Sequence, residues 1–203
     1  MHRVIPAPFQ TVRPKRSTIR TPALPDDSTA FSATSSTVKK YQITGMSASQ
    51  LPFIADPYGF EASLHSAVVS PDQAELIVCL EHPEDHTAVR TVWSYATSDL
   101  SLTGKYKINS PGLDAVYTPD GTRVLVAPMD ADKAGVFVVE FDRATHLETH
   151  YYLMAGNLKS HGLEMDRSGT CFYAVVNSPG DDDSFEPYNS YSYDIQRVRL
   201  INP

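Results

Sequence analysis

The chain has 203 residues, enough for one domain with a sizeable core, and its formal net charge is −7. The first 25 residues hold five basic residues and no acidic one, which leaves 12 basic and 24 acidic residues in the remainder. A body of that charge repels phosphate backbones, which argues against nucleic-acid binding. No apolar run is long enough to span a bilayer, so we expect no membrane partner and a cytoplasmic protein.

Residues 1–36 are rich in Pro, Ser, Thr and Arg and show no apolar periodicity. Such a segment buries too little surface to offset its ordering entropy, so it is predicted to be a disordered, basic tail. An organelle transit peptide is the alternative, although five prolines among the first 25 residues oppose the amphipathic helix that those signals use. A truncated or mis-spliced gene start is a further alternative.

The rest of the chain, residues 37–203, carries a repeat. A polar turn followed by a β-branched strand begins at Ser70, Thr118 and Asp166, and these positions are 48 residues apart both times. A period of this length with several strands in each unit is typical of β-propeller blades. The predicted fold is therefore all-β, an array of about three to four four-stranded antiparallel blades after the tail.

The strands of the repeat are predicted from alternating or β-branched runs between turns. They cover 65–69, 75–80, 88–95 and 102–108 in the first repeat, 114–118, 122–127, 135–141 and 148–154 in the second, and 161–165, 170–177 and 191–201 in the third. Residues 38–43 and 50–54 are expected to form the outer part of an incomplete blade. The third repeat lacks a fourth strand, and one hypothesis is that residues 38–43 supply it, because an unpaired edge is prone to pair with another chain.

The two cysteines, Cys79 and Cys171, lie at different offsets within their repeats. Successive side chains of a strand point to opposite faces, so the two thiols are expected to face apart. We predict two buried free thiols and no disulfide, which suits a reducing compartment.

Residues 160–177 read Ser-His-Gly at their start and then an Asp-Arg-Ser-Gly turn before an aromatic and β-branched strand. This segment resembles a blade of the seven-bladed lactonase family, which includes 6-phosphogluconolactonase-type proteins and the fungal carboxy-cis,cis-muconate cyclase. The turn at Asp142 is also similar to that family. The resemblance implies a ring of seven blades, of which this chain has room for about half. It also implies an arginine in an inner-strand motif of the cyclase branch, where residues 111–115 contain none.

His161 and His65 occupy the same register at the start of an innermost strand, so in a propeller both would lie at the mouth of the central channel. The resemblance implies that His161 is a general acid/base, and an imidazole that titrates near neutral pH suits proton transfer. Glu164 on the same strand is a further catalytic candidate, and Arg90 and Asp114 are candidates for substrate binding. The alternative is that each histidine locks a strand start by a hydrogen bond, and that Arg90 lies on an exposed strand face.

Two loops carry groups that bind metals elsewhere. Residues 82–86 contain two histidines and two acids, and residues 180–186 contain four acids. Neither loop has the ligand spacing of a zinc or EF-hand site, so both are interpreted as solvated loops. We predict no metal and no cofactor.

Three functions remain open on the sequence. The first is a cyclase- or lactonase-like enzyme that acts on a small carboxylated molecule. The second is a non-catalytic binding or scaffold module, for which tyrosines 188, 191 and 193 would suit a partner surface. The third is a truncated, inactive relative. A half-ring predicts a homodimer in which two chains close one propeller.

Overall fold

A computed structural model of the chain describes residues 29–33, 37–44, 47–55, 63–81, 91–108, 110–129, 136–177 and 193–201. These residues form strands and turns. Among them, no helix is long and apolar enough to cross a membrane. The strands are β1 Thr29–Ala33, β2 Thr37–Thr44, β3 Ser47–Ala55, β4 Ser63–Val69, β5 Glu75–Glu81, β6 Thr91–Ala96, β7 Leu102–Lys107, β8 Gly112–Tyr117, β9 Arg123–Pro128, β10 Val136–Asp142, β11 Glu148–Met154, β12 Leu158–Met165, β13 Cys171–Asn177 and β14 Tyr193–Arg199.

The strands pair antiparallel in chain order within four sheets. The N-terminal sheet contains β1–β3, blade 1 contains β4–β7, blade 2 contains β8–β11 and blade 3 contains β12–β14. Blades 1 and 2 have four strands each, and the other two sheets have three described strands each. The prediction of an all-β array of about three to four antiparallel blades is confirmed.

The hairpin at the start of each blade repeats in atomic detail, which explains the 48-residue spacing. The residue in the third position after the register residue has a positive φ in all three turns, and it is Gln73, Gly121 or Gly169. In each turn the register residue donates its backbone N–H to the carbonyl five residues later. These bonds are Ser70 N to Glu75 O at 2.8 Å, Thr118 N to Arg123 O at 3.0 Å and Asp166 N to Cys171 O at 3.0 Å.

Two apolar cores lie between neighbouring blades. Blade 1 meets blade 2 through side chains such as Tyr106 and Phe141, whose rings are 5.3 Å apart in an edge-to-face contact. Blade 2 meets blade 3 through Tyr152 and Phe172, again 5.3 Å apart and edge-to-face. Burying such aromatic surface on both faces of blade 2 stacks the three blades side by side.

Two expectations about the first strands are corrected. Residues 38–43 do not complete blade 3, because β2 pairs with β1 and β3 in the N-terminal sheet. The strand Thr29–Ala33 also lies within the segment that we predicted to be tail, with Phe31 fully buried. A five-residue strand adds too little apolar pattern to stand out in a Pro- and Ser-rich stretch. Residues 1–28 lie outside the described residues.

Both cysteines are buried free thiols, as predicted. Cys79 lies in the core between blades 1 and 2, where burial raises the pKa of its thiol well above the usual range. Cys171 begins β13 in blade 3. Since they belong to different blades, they serve packing and do not form a cross-link.

Gly156, in the turn between β11 and β12, is expected to tolerate no side chain. Its φ is 146°, and an added Cβ would overlap the backbone carbonyl oxygen of Asn177 on β13. We expect Gly156→Ala to lower the free energy of unfolding by at least about 2 kcal/mol, measured by urea denaturation.

Gly121→Ala is the matched control for this prediction. Gly121 also has a positive φ, but its added Cβ would come no closer than 3.3 Å to a neighbour, the Nη1 atom of Arg143. We therefore expect Gly121→Ala to lower the free energy of unfolding by only about 1 kcal/mol, the cost of the left-handed backbone conformation for alanine. Equal losses in the two variants would contradict the overlap at Gly156.

Candidate functional site

The three innermost strands, β4, β8 and β12, are irregular at the same register position. Their pairing with the second strand of each blade shifts between Leu64 and Ser66, between Gly112 and Asp114, and between Leu158 and Leu163. His65, Leu113 and His161, one repeat apart from one another, lie at these shifts. A bulge of this kind redirects a side chain and is common beside binding sites.

A cleft of about 360 Å³ lies along these inner strands. It is bordered by the chain at 66–69 in β4 and 114–116 in β8, and by His161, Leu163 and Glu164 of β12. Its size lies within the range of small-molecule pockets. The structure therefore brings three of the predicted site residues, Asp114, His161 and Glu164, to one cleft.

Asp114 is the buried group of this cleft, and its side chain joins all three inner strands. Its Oδ1 accepts hydrogen bonds from Ser66 Oγ at 2.6 Å and from Ala115 N at 2.9 Å, and its Oδ2 accepts one from Leu163 N at 3.0 Å. Burial raises the pKa of this carboxyl, although these hydrogen bonds and the nearby His161 act in the opposite direction. With three donors already in place, Asp114 acts first as a tie between blades.

His161 and Glu164 are the accessible polar groups of the cleft, since both side chains are exposed. His161 has a φ of 57°, in the left-handed region that few residues other than glycine adopt. The bulge in β12 holds that conformation, and backbone strain of this kind is concentrated at functional sites. The pair offers one imidazole and one carboxylate for proton transfer.

His65 does not line the cleft, but it lies next to the residue before His161. Its Nδ1 is 3.5 Å from the hydroxyl oxygen of Ser160, across the boundary between blades 1 and 3. The shared register predicted from the sequence thus places the two histidines on adjoining segments. This contact also fits the alternative in which His65 locks the start of a strand.

Arg90 lies outside the described residues, as do the loops at 82–86 and 180–186. Within the described ranges, no group of three or more His, Cys, Asp and Glu side chains could hold a metal ion. Because Arg90 is not described, its role in binding a carboxylated substrate stays a prediction.

Arg143 is a structurally central residue that the sequence did not single out. Its Nε donates to Glu75 Oε2 at 2.6 Å, and its two Nη atoms donate to the oxygens of Asp72 at 2.9 and 3.1 Å. Its guanidinium also lies over the ring of Tyr117. We call this arrangement the Arg143 clamp, and it joins the third-to-fourth strand turn of blade 2 to the first turn of blade 1. A cleft of about 550 Å³ borders it.

The clamp also sets the ionisation of its carboxylates. The hydrogen bond from Arg143 holds the pKa of Asp72 well below its usual range. Glu75 is buried and also accepts a hydrogen bond from the hydroxyl of Tyr106 at 3.3 Å. Since every nitrogen of the guanidinium already has an acceptor, the clamp is a structural ion pair and not a vacant binding site.

Asp114 and Asp120 are expected to show opposite effects of pH on stability. Because burial raises the folded-state pKa of Asp114, unfolding releases a proton, and its contribution to stability falls as pH rises above about 4. The pKa of Asp120 is lowered, chiefly by the Thr118 hydroxyl, so its contribution is present above about pH 4 and is lost below it.

Urea unfolding of Asp114→Asn and Asp120→Asn between pH 3 and 8 tests this pair. The stability of Asp114→Asn relative to the unsubstituted chain should rise as pH increases above about 4. That of Asp120→Asn should fall as pH increases toward about 4 and then stay constant. Parallel curves for the two variants would contradict the opposite signs.

Comparison with known proteins supports the fold. No protein-family model and no curated protein matches the chain. Among solved structures, Kuenenia stuttgartiensis hydrazine synthase aligns with a TM-score of 0.63 at 14% identity, over 95% of this chain and 53% of that chain. The C-terminal WD40 domain of Sif2 aligns with a TM-score of 0.51 at 12% identity, over 71% of this chain and 38% of that domain.

These neighbours are β-propeller proteins, and likeness at such identities shows the fold alone. The chain spans about half the length of the first neighbour and 38% of the second. The propeller part of the family resemblance is thus confirmed. The lactonase part stays a prediction.

Proposed function

We propose that the chain is a cyclase- or lactonase-type enzyme that binds a small carboxylated molecule in the inner-strand cleft. The observation that supports this most is the convergence of the three inner strands, which places Asp114, His161 and Glu164 around one cleft. An exposed imidazole and an exposed carboxylate that line one cleft with a buried, hydrogen-bonded aspartate form an arrangement suited to acid–base chemistry.

The proposed reaction needs one proton transfer. In a cyclisation, a carboxylate oxygen of the substrate adds to a carbon–carbon double bond, and His161 donates a proton to the carbon at its other end. In the reverse direction, His161 takes that proton as the ring carbon–oxygen bond breaks. Glu164 is the second proton-accepting group of the cleft. Asp114 holds β12 against β8 through Leu163 N, two residues from His161.

A substrate panel tests the proposal. Unsaturated dicarboxylic acids are followed by loss of their conjugated ultraviolet absorbance, and five- and six-membered lactones are followed by acid release in a pH-stat. Turnover of at least one compound above a heat-denatured sample is the expected result. Failure of the whole panel with folded protein would overturn the enzyme proposal.

A non-catalytic binding module is the second candidate, and a surface of blade 2 favours it. Leu147, Tyr151 and Leu153, at and next to the outer strand β11, are 66%, 55% and 67% exposed. Apolar side chains clustered on one surface are typical of a contact with another protein. A chain that turns over nothing in the panel fits this candidate or an inactive relative of the lactonases.

We also propose, as a separate point, that two chains associate into a homodimer that closes one ring. Blade 3 supports this, because Tyr193 and Ile195 are 56% and 71% exposed on β14, where a further sheet would cover them. Light scattering on a size-exclusion column should give twice the 22.4 kDa of one chain. A monomer at every concentration would contradict the homodimer.

A further inference from the structure

Two arginines of blade 3 lie side by side on a sheet face that is open to solvent in the single chain. Arg199 pairs with Cys171 and Arg197 with Tyr173, so the four side chains share one face of β13 and β14. Both arginines are exposed. The opposite face carries Phe172 and Leu200, which pack in the core against blade 2.

A cleft of about 410 Å³ lies at these arginines, lined by Thr170, Cys171, Arg197 and Arg199. None of these residues borders the inner-strand cleft. The Cys171 thiol raises the pKa of the Arg197 guanidinium. The residues that line the cleft thus carry two permanent positive charges, a hydroxyl and a thiol.

The repeat allows the same place to be compared between blades. Cys171 lies two repeats after Glu75, so Glu75 is its counterpart in blade 1. The residues of β6 that pair with Glu75 and Ile77 are Ala96 and Ser94. They are the counterparts of Arg199 and Arg197. In blade 1 this place is therefore acidic. Glu75 forms an ion pair there with Arg143, which comes from blade 2.

Blade 2 has both signs of charge at this place. The counterparts of Arg197 and Arg199 are Glu140 and Asp142, and the counterpart of Cys171 is Arg123. Glu140 is almost fully buried, and it lies 3.6 Å from Arg123 and 3.3 Å from His150. Its charge is thus balanced within the blade.

Blade 3 has two positive charges here, and among the described residues neither arginine forms an ion pair. Asp166 is near enough to act on Arg197 electrostatically. Its oxygens already accept hydrogen bonds from Ser168, Thr170 and the backbone of Cys171. Among the described residues, the two arginines of blade 3 therefore lack the carboxylate partner that Arg143 has in Glu75 and that Arg123 has in Glu140.

We propose that the cleft at Arg197 and Arg199 binds a small oxyanion, a phosphate or a carboxylate. Two guanidinium groups two residues apart on one strand can both donate paired N–H groups to one such anion. Thr170 and Cys171 line the same cleft. This site goes beyond the proposed enzymatic function and does not depend on it.

Calorimetric titration with inorganic phosphate and with citrate, at low ionic strength, tests the site. We expect binding of at least one anion to the unsubstituted chain and a loss of at least about tenfold in affinity for Arg197→Gln/Arg199→Gln. Lys105→Gln/Lys107→Gln is the matched control, because these cations are likewise exposed and two residues apart on a strand. It should bind within about twofold of the unsubstituted chain.

Equal urea midpoints without anion show that the variants are folded, since the arginines are exposed. Binding that the arginine variant retains, or that both double variants lose equally, would overturn the site. So would an unsubstituted chain that binds neither anion. If the arginine substitutions instead change the solution mass while neither anion binds, the arginines belong to an interface between copies and the proposal is overturned.

Discussion

His161→Gln is expected to lower kcat/KM by about 100- to 1,000-fold for a substrate found in the panel, because general acid–base groups contribute about that much. Glutamine keeps the polarity and much of the volume of histidine but cannot exchange a proton near neutral pH. The exposed position of His161 means that the substitution removes no core contact. Steady-state kinetics at several pH values measures the effect.

Lys159→Gln is the control for that variant, because Lys159 lies on the same strand and does not border the cleft. It should leave kcat/KM within about twofold of the unsubstituted chain. Glu164→Gln should lower kcat/KM as well, and His65→Gln should do so less, since His65 lies outside the cleft. If His161→Gln behaves like Lys159→Gln, the proton must be moved by another group.

Arg143→Met is expected to lower the free energy of unfolding by about 3 kcal/mol, the largest stability effect that we predict. Methionine retains part of the packing over Tyr117 but leaves the buried carboxylate of Glu75 without its cation. Breaking one side of a buried ion pair costs more than the pair itself contributes, because a desolvated charge remains. Urea denaturation at pH 7 measures the loss.

The double variant Glu75→Gln/Arg143→Met should recover part of that loss, because it removes the stranded charge as well. Arg167→Met, at an exposed turn position, should change stability by no more than about 0.5 kcal/mol.

Low pH should reduce the stability of the protein through Asp72, because the hydrogen bond from Arg143 lowers the folded-state pKa of this carboxyl. Its contribution is present above about pH 4 and is lost as pH falls below that, and the loss should be smaller in Arg143→Met. An equal acid response in both chains would contradict the clamp.

The repeat is the part of the fold that local chemistry encodes. Each turn at Ser70, Thr118 and Asp166 places a small polar or acidic residue where it bonds its own turn, and the strands beside it alternate apolar and polar residues. These signals act over a few residues, so they could be read directly. The strand predicted at 148–154 coincides with Glu148–Met154.

The inner strands show where the pattern is interrupted. Each begins two or three residues before its predicted start, at Ser63, Gly112 and Leu158. A bulge near the start of each strand breaks the alternation from which the strand was predicted. The shared register of His65 and His161 could still be predicted despite the bulges, because it was counted from the turn that follows each strand and not from the strand start.

Local patterns in the sequence therefore predicted the blade repeat, the free cysteines and the placement of His161 and Glu164 on an inner strand. The tertiary structure added that Arg197 and Arg199 form no ion pair with another described residue. It also showed that Asp114 joins three blades and that Arg143 clamps two of them. Such contacts join residues about 50 to 70 positions apart in the chain. Their partners are set by how whole sheets pack and by the desolvation of the charges between them, for which a local pattern holds no signal.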